Sequence, residues 1–116
     1  SVSLDPALVL WSIGRDSNCF EDFMAAEAFA IHVLAEDQQE LSNRFAKTGS
    51  DRFAGLELSE GLSGVPLLTH YSTCFQCSLA NQYDGGDHVI IVGKVLELSD
   101  HGLNPLIFHR GVYESL

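Results

Sequence analysis

Cations are scarce in this chain. Six Lys and Arg stand against sixteen Asp and Glu, leaving a formal charge of −10. That balance excludes a general binder of nucleic-acid backbone or of an anionic membrane surface. No apolar run approaches the roughly 20 residues that a spanning helix needs. The three cysteines, Cys19, Cys74 and Cys77, are too few for a disulfide framework, so reduced thiols and a cytoplasmic setting are expected. The dinucleotide fingerprint Gly-x-Gly-x-x-Gly, the phosphate loop ending in Gly-Lys-Ser/Thr and the nucleophile elbow Gly-x-Ser-x-Gly are all missing. A nucleotide bound here is held by other devices, and hydrolysis lacks its nucleophile. There is no initiator Met either: the chain opens on Ser1-Val2-Ser3-Leu4-Asp5-Pro6 and reads as entered partway through a motif.

What is present describes one globular domain over residues 1–116. Hydrophobic residues are 46% and charged residues 19%, enough for a core and too apolar for disorder. An apolar run over 6–13 stops at Gly14-Arg15-Asp16-Ser17 and predicts a buried strand. Ser17 or Asn18 then caps a helix with Phe20, Phe23 and Met24 on one face. Residues 29–34 alternate as a strand, and Asp37, three before Glu40, predicts the cap of a second helix reaching about Lys47 with Leu41 and Phe45 inward. Glycine and serine recur over 48–64, as expected of a long surface loop pinned by Phe53 and Leu56. Further strands are expected near 74–79, over 88–98 and over 105–108, the second apolar on both faces like a central strand covered on both sides. Strands outnumber helices, and the helices fall in crossovers. The class is mainly β, a small barrel with helical insertions rather than a doubly wound sheet.

Four groups of residues carry possible chemistry. Gly85-Gly86-Asp87-His88 delivers an acid and a histidine to the first rung of the long strand. Its carboxylate can fix the imidazole tautomer, and a solvated turn reads equally well. Ser1 and Ser3 place two hydroxyls and backbone amides before Pro6, which suits a phosphate; a plain strand entry is the bland reading. The helix over 37–47 carries Gln38, Ser42, Arg44 and Lys47. Either these form a solvated face, or Ser42 or Arg44 closes on the same anion as Ser1 and Ser3. Cys74 and Cys77, three apart on a strand, point to opposite faces and lack a second cysteine pair, so no metal site is expected. A thiol–metal protein using both with His70 stays as the weakest reading.

Seven segments in order resemble the short-chain flavin reductases of the flavin-reductase-like, FMN-binding split-barrel superfamily. They are residues 1–10, Phe29-Ala30-Ile31-His32-Val33-Leu34, 38–46, Asp51-Arg52-Phe53-Ala54-Gly55, Gly64-Val65-Pro66-Leu67-Leu68, 86–95 and Phe108-His109-Arg110-Gly111-Val112-Tyr113. The resemblance implies a Greek-key split β-barrel that dimerises, with its first family strands lacking and the N-terminal part of the domain missing here. It implies hydride transfer from NADH or NADPH to FMN or FAD, as the reductase component of a two-component flavin-dependent monooxygenase. By the same resemblance Ser1, Val2 and Ser3 hold the flavin phosphate and ribityl chain, and Leu34, Gln38 and Ser42 line the cofactor. His88 sits by the nicotinamide with Asp87 orienting the turn, and Arg110, Gly111 and Tyr113 close over the dinucleotide. His32 stands where the family often has Asn. The alternative within this architecture is a flavin- or haem-binding carrier or sensor that does not turn over.

Overall fold

The computed structural model describes residues 2–47 and 52–114, so Ser1 lies outside the described residues. The element order is β1 (Ser3–Leu4), β2 (Ala7–Gly14), α1 (Phe20–Ala25), β3 (Ala28–Val33), α2 (Gln39–Ala46), β4 (Leu58–Glu60), β5 (Pro66–Leu68), β6 (Thr73–Gly85), β7 (His88–Asp100), β8 (Ile107–His109) and β9 (Val112–Glu114). Five strands form one antiparallel sheet in the order β1-β2-β7-β6-β3, and β4-β5 and β8-β9 are separate ribbons. The expected mainly β fold is borne out.

The centre of the sheet is β7, held by β2 on one side and β6 on the other. Its pleat sends Val89, Ile91, Gly93 and Val95 to one face, where Ile13, Phe29 and Cys77 complete a buried cluster. Phe20, Phe23 and Met24 of α1 close that cluster at the expected helical spacing, and Trp11 meets Phe23 edge-on at 4.9 Å. The opposite face differs from expectation. Ile90 and Val92 are half-buried there, while Leu10 and Tyr83 are exposed. The apolar residues on both sides of β7 therefore reflect one face packed by this chain and one face left uncovered by its described residues.

A second buried cluster of Leu67, Leu68, Tyr71 and Cys74 gathers Leu34, Leu41 and Leu56 around it. It seats α2 and the β4-β5 ribbon against the far end of the sheet. Cys74 and Cys77 thus serve two different clusters, as opposite-facing residues should. Burial raises both thiol pKa values, that of Cys77 to about 11, so they stay protonated packing groups. Among the described residues no cluster of His, Cys, Asp and Glu suits a metal ion, and no helix is long and apolar enough to cross a membrane.

Local chemistry explains most boundaries. β6 and β7 meet through the two-residue loop Gly86-Asp87, with Gly86 at φ 79°, the tight hairpin that glycine at the first loop position permits. β8 and β9 turn through Arg110 at φ 52° and Gly111 at φ 81°, the doubly left-handed pair of a two-residue hairpin. Three further expectations are corrected. Neither helix has a side-chain cap: Cys19 and Gln38 hold the cap positions, Ser17 Oγ accepts from the Cys19 amide at 3.3 Å, and Asp37 is drawn away to His70 Nε2 at 3.0 Å. Within the expected surface loop, residues 58–60 form β4 because Gly61 N–H reaches Val65 C=O at 2.7 Å and closes the ribbon with β5. β6 runs on to Gly85 through polar residues because β7 offers it a ladder of main-chain partners.

Candidate functional site

Packing α2 over the end of β3 leaves a cleft of about 240 Å³ lined by His32, Leu34, Ser42, Phe45 and Leu68. Its walls are apolar, and its polar groups are an imidazole and a hydroxyl. Tyr113 reaches in from β9: its hydroxyl hydrogen-bonds Ser42 Oγ at 3.0 Å and Asn43 Oδ1 at 2.8 Å. This strap, spanning 71 residues of sequence, fixes the β8-β9 hairpin against the mouth of the cleft. Arg110 and Gly111 occupy the exposed tip of that hairpin. Gln38, at the cap position of α2, has its amide already engaged. Its Oε1 accepts from Ala35 N–H at 2.8 Å, and its Nε2 donates to His70 C=O at 2.9 Å. It acts as a clip between the end of β3 and the segment before β6.

His32 is the best-determined polar group of the cleft. Leu68 N–H donates to its Nε2 at 3.2 Å, so the ring proton resides on Nδ1. The ring meets Tyr71 edge-on, and Tyr71 in turn stacks on His101 at 4.1 Å. Burial lowers the His32 pKa below the ordinary histidine value. The unfolded chain therefore takes up a proton near pH 6.5 that the folded chain resists. Stability that rests on neutral His32 is complete above about pH 6.5 and is lost as pH falls through the lowered folded value. Urea unfolding at about pH 7.5 and at about pH 5.5 checks this: the midpoint falls in the parent protein, and falls less in His32→Asn, which cannot titrate.

At the opposite end of the sheet, the β6-β7 turn presents Asp87 and His88. Asp87 Oδ1 lies 2.8 Å from His88 Nδ1, and this hydrogen bond is the main cause that holds the Asp87 carboxyl below its ordinary range. The pair leaves Nε2 as the open edge of the imidazole. His88 is paired across the sheet with Gly14 of β2. On the same turn Arg15 binds Asp84 and Gly86.

Across its whole length, residues 1–116, the chain matches the flavin reductase like domain. It belongs to that family. The reductase component of a flavin-dependent trigonelline monooxygenase from Acinetobacter baylyi (strain ATCC 33305 / BD413 / ADP1) is 42% identical over 97% of this chain and 36% of its own length. The FMN reductase (NADH) SmoA of Agrobacterium fabrum (strain C58 / ATCC 33970) is 43% identical over 97% of this chain and 64% of its own. The chain thus spans about a third to two thirds of the length of these relatives. Among solved structures, the NADH:FAD oxidoreductase SgcE6 of Streptomyces globisporus C-1027, in complex with NAD and FAD fragments, superposes with a TM-score of 0.91 at 31% identity. The match covers 98% of this chain and 70% of that one. The fold is that of the flavin reductases.

Within this flavin reductase domain the expected site residues fall into three groups. Leu34 and Ser42 line the cleft, Tyr113 bonds Ser42 from the hairpin that carries Arg110 and Gly111, and Gln38 is turned away to Ala35 and His70. Val2 and Ser3 lie on the sheet edge, where Val2 N–H donates to Leu8 C=O at 2.9 Å and Ser3 pairs with Leu8. Asp87 and His88 stand apart from both. The rungs of Ser3 and His88 cross β7 at Lys94 and His88, six positions apart and about 20 Å of strand. The rung of His32 crosses at Ser99, eleven positions from His88 and about 36 Å along the strand. Sequence reasoning missed Phe45 and Leu68 as cleft walls and gave no role to His32 or Arg15. The signal for His32 was a lone polar residue in an alternating strand. Arg15 was read only as part of a strand stop.

Proposed function

We propose that the protein is an NAD(P)H:flavin oxidoreductase, transferring a hydride from NADH or NADPH to FMN or FAD. The observation that carries this reading is the cleft under α2. Phe45, Leu34 and Leu68 offer flat apolar walls to a planar ring, while His32 Nδ1–H and the Ser42 hydroxyl stand ready for polar atoms at its edge. Such a donor set fits a flavin and fits neither a metal nor a hydrolytic intermediate. Bound flavin supplies the hydride-accepting chemistry. The chain's own task is to bind, orient and exclude water.

In this reading Ser1, Val2 and Ser3 hold the phosphate and ribityl chain, and Leu34 and Ser42 line the ring. Gln38 contributes by clipping Ala35, next to Leu34, to the segment before β6. Asp87 fixes the imidazole of His88, which contacts the nicotinamide through its open Nε2 edge. Tyr113 braces the hairpin whose tip, Arg110-Gly111, closes over the dinucleotide. The protein acts as a homodimer. Two features support that assembly: the long strand path between His88 and the cleft, and the face of the sheet on which Leu10 and Tyr83 are exposed beside half-buried Ile90 and Val92, which suits a second copy. Reduced flavin then passes to a separate monooxygenase, as the name of the trigonelline relative suggests. The buried, free thiols agree with a cytoplasmic setting.

The test is a steady-state assay of the purified protein with FMN and NADH, then with FAD and NADPH. Nicotinamide absorbance falls at a rate proportional to protein with at least one flavin–nicotinamide pair. No rate above the protein-free control with any pair overturns the reading, and a tightly bound flavin that neither nicotinamide reduces marks a carrier instead.

A further inference from the structure

We propose that Arg15 is a positioning residue for His88, locking the Gly86-Asp87-His88 turn from the end of the neighbouring strand. This rests on the reading of His88 as the group beside the nicotinamide. Arg15 is just past β2, yet it donates to the end of β6 and to both residues of the turn between β6 and β7. Its Nε donates to Gly86 C=O at 2.9 Å, and its Nη2 donates to Asp84 Oδ1 at 2.7 Å. Its main-chain N–H donates to Asp87 C=O at 2.9 Å. Asp84 Oδ1 also accepts from Gly86 N–H at 3.1 Å, so one carboxylate oxygen bridges the guanidinium and the turn. Two consecutive carbonyls, those of Gly86 and Asp87, are therefore held by a single residue just beyond β2. Asp87 in turn holds His88 Nδ1 at 2.8 Å.

Stability does not account for this arrangement. The Arg15 and Asp84 side chains are 48% and 79% exposed, and an ion pair of that kind contributes little to folding. Its effect is geometric. A guanidinium presents its donors in a rigid plane, so engaging Gly86 C=O and Asp84 together fixes both the position and the tilt of the turn. An ammonium is a single point of charge and keeps the attraction to Asp84 without that tilt. A glycine turn left unclamped swings the imidazole, and a misplacement of about 1 Å at a reacting centre is enough to slow it substantially.

The experiment compares Arg15→Ala, Arg15→Lys and Asp84→Ala with the parent protein. The readouts are kcat and KM for NADH, the affinity for FMN and the imidazole NMR signals of His88. Thermal melts confirm that each variant folds. Arg15→Ala is expected to lower kcat about tenfold with KM for NADH and FMN affinity nearly unchanged, and to move the His88 signals. Asp84→Ala should reproduce much of this, Arg15→Lys should recover part of it, and the Arg15→Ala/Asp84→Ala pair should be less than additive. A raised KM at constant kcat, with Asp84→Ala like the parent, overturns the proposal in favour of direct contact between Arg15 and the dinucleotide. Unchanged His88 signals in Arg15→Ala overturn it outright. If the parent protein oxidises no NADH, the functional reading fails, and the His88 signals still decide whether the clamp exists.

Discussion

Phe29→Ala is expected to destabilise the fold by about 3–5 kcal/mol, the range for removing a buried aromatic ring. Phe29 is 6% exposed in the main cluster, meets Trp11 edge-on at 5.9 Å and lies over Gly93 of the central strand. Gly93 has no side chain because the Phe29 ring occupies its place: a Cβ built there runs into Phe29 Cζ and lies 3.0 Å from Cys77 Cβ. Gly93→Ala should therefore cost about 1–3 kcal/mol by overpacking. The two residues share one volume, so their effects are coupled. Phe29→Leu combined with Gly93→Ala should be more stable than the sum of the single losses predicts. Chemical denaturation of the four proteins in the cycle measures it; strict additivity contradicts the shared volume.

The second large effect is on rate. His88→Ala should reduce kcat/KM for nicotinamide-dependent flavin reduction by about a hundredfold, the scale of lost orientation at a reacting centre. FMN affinity should hardly change, because the cleft and His88 occupy rungs eleven positions apart on β7. Asp87→Asn should give a smaller loss, since an amide oxygen can still accept from Nδ1 while the charge is gone. Steady-state kinetics with a parallel flavin titration separate the two readouts. Equal loss of FMN binding in His88→Ala would move His88 into the flavin site and contradict the assignment.

Legibility followed locality. The strands now seen as β2, β3 and β7 were readable because their apolar runs and alternation are properties of neighbouring residues. The Gly85-Gly86 turn was readable because glycine carries its own signal. The second half of β6 was not, since residues 80–85 are exposed and have no run of apolar side chains, and only the ladder to β7 makes them a strand. The Asp37 cap failed for a similar reason: its carboxylate found His70, 33 residues away. The family resemblance singled out Leu34, Ser42 and Tyr113, and the fold brings Ser42 and Tyr113 together across 71 residues. The internal use of the Gln38 amide, the Leu68 bond that sets the His32 tautomer and the hold of Arg15 on the turn are all long-range contacts. Composition and periodicity carry no trace of such pairings.

One measurement bears most directly on the claim that this domain holds a flavin and a reduced nicotinamide together. The purified protein is mixed with FMN under anaerobic conditions, and NADH is added while the flavin and nicotinamide absorbances are followed at once. Both should fall together, one NADH per flavin, faster than without protein and far more slowly in His88→Ala. A flavin spectrum that stays oxidised while NADH persists, at concentrations where FMN is bound, would contradict the account.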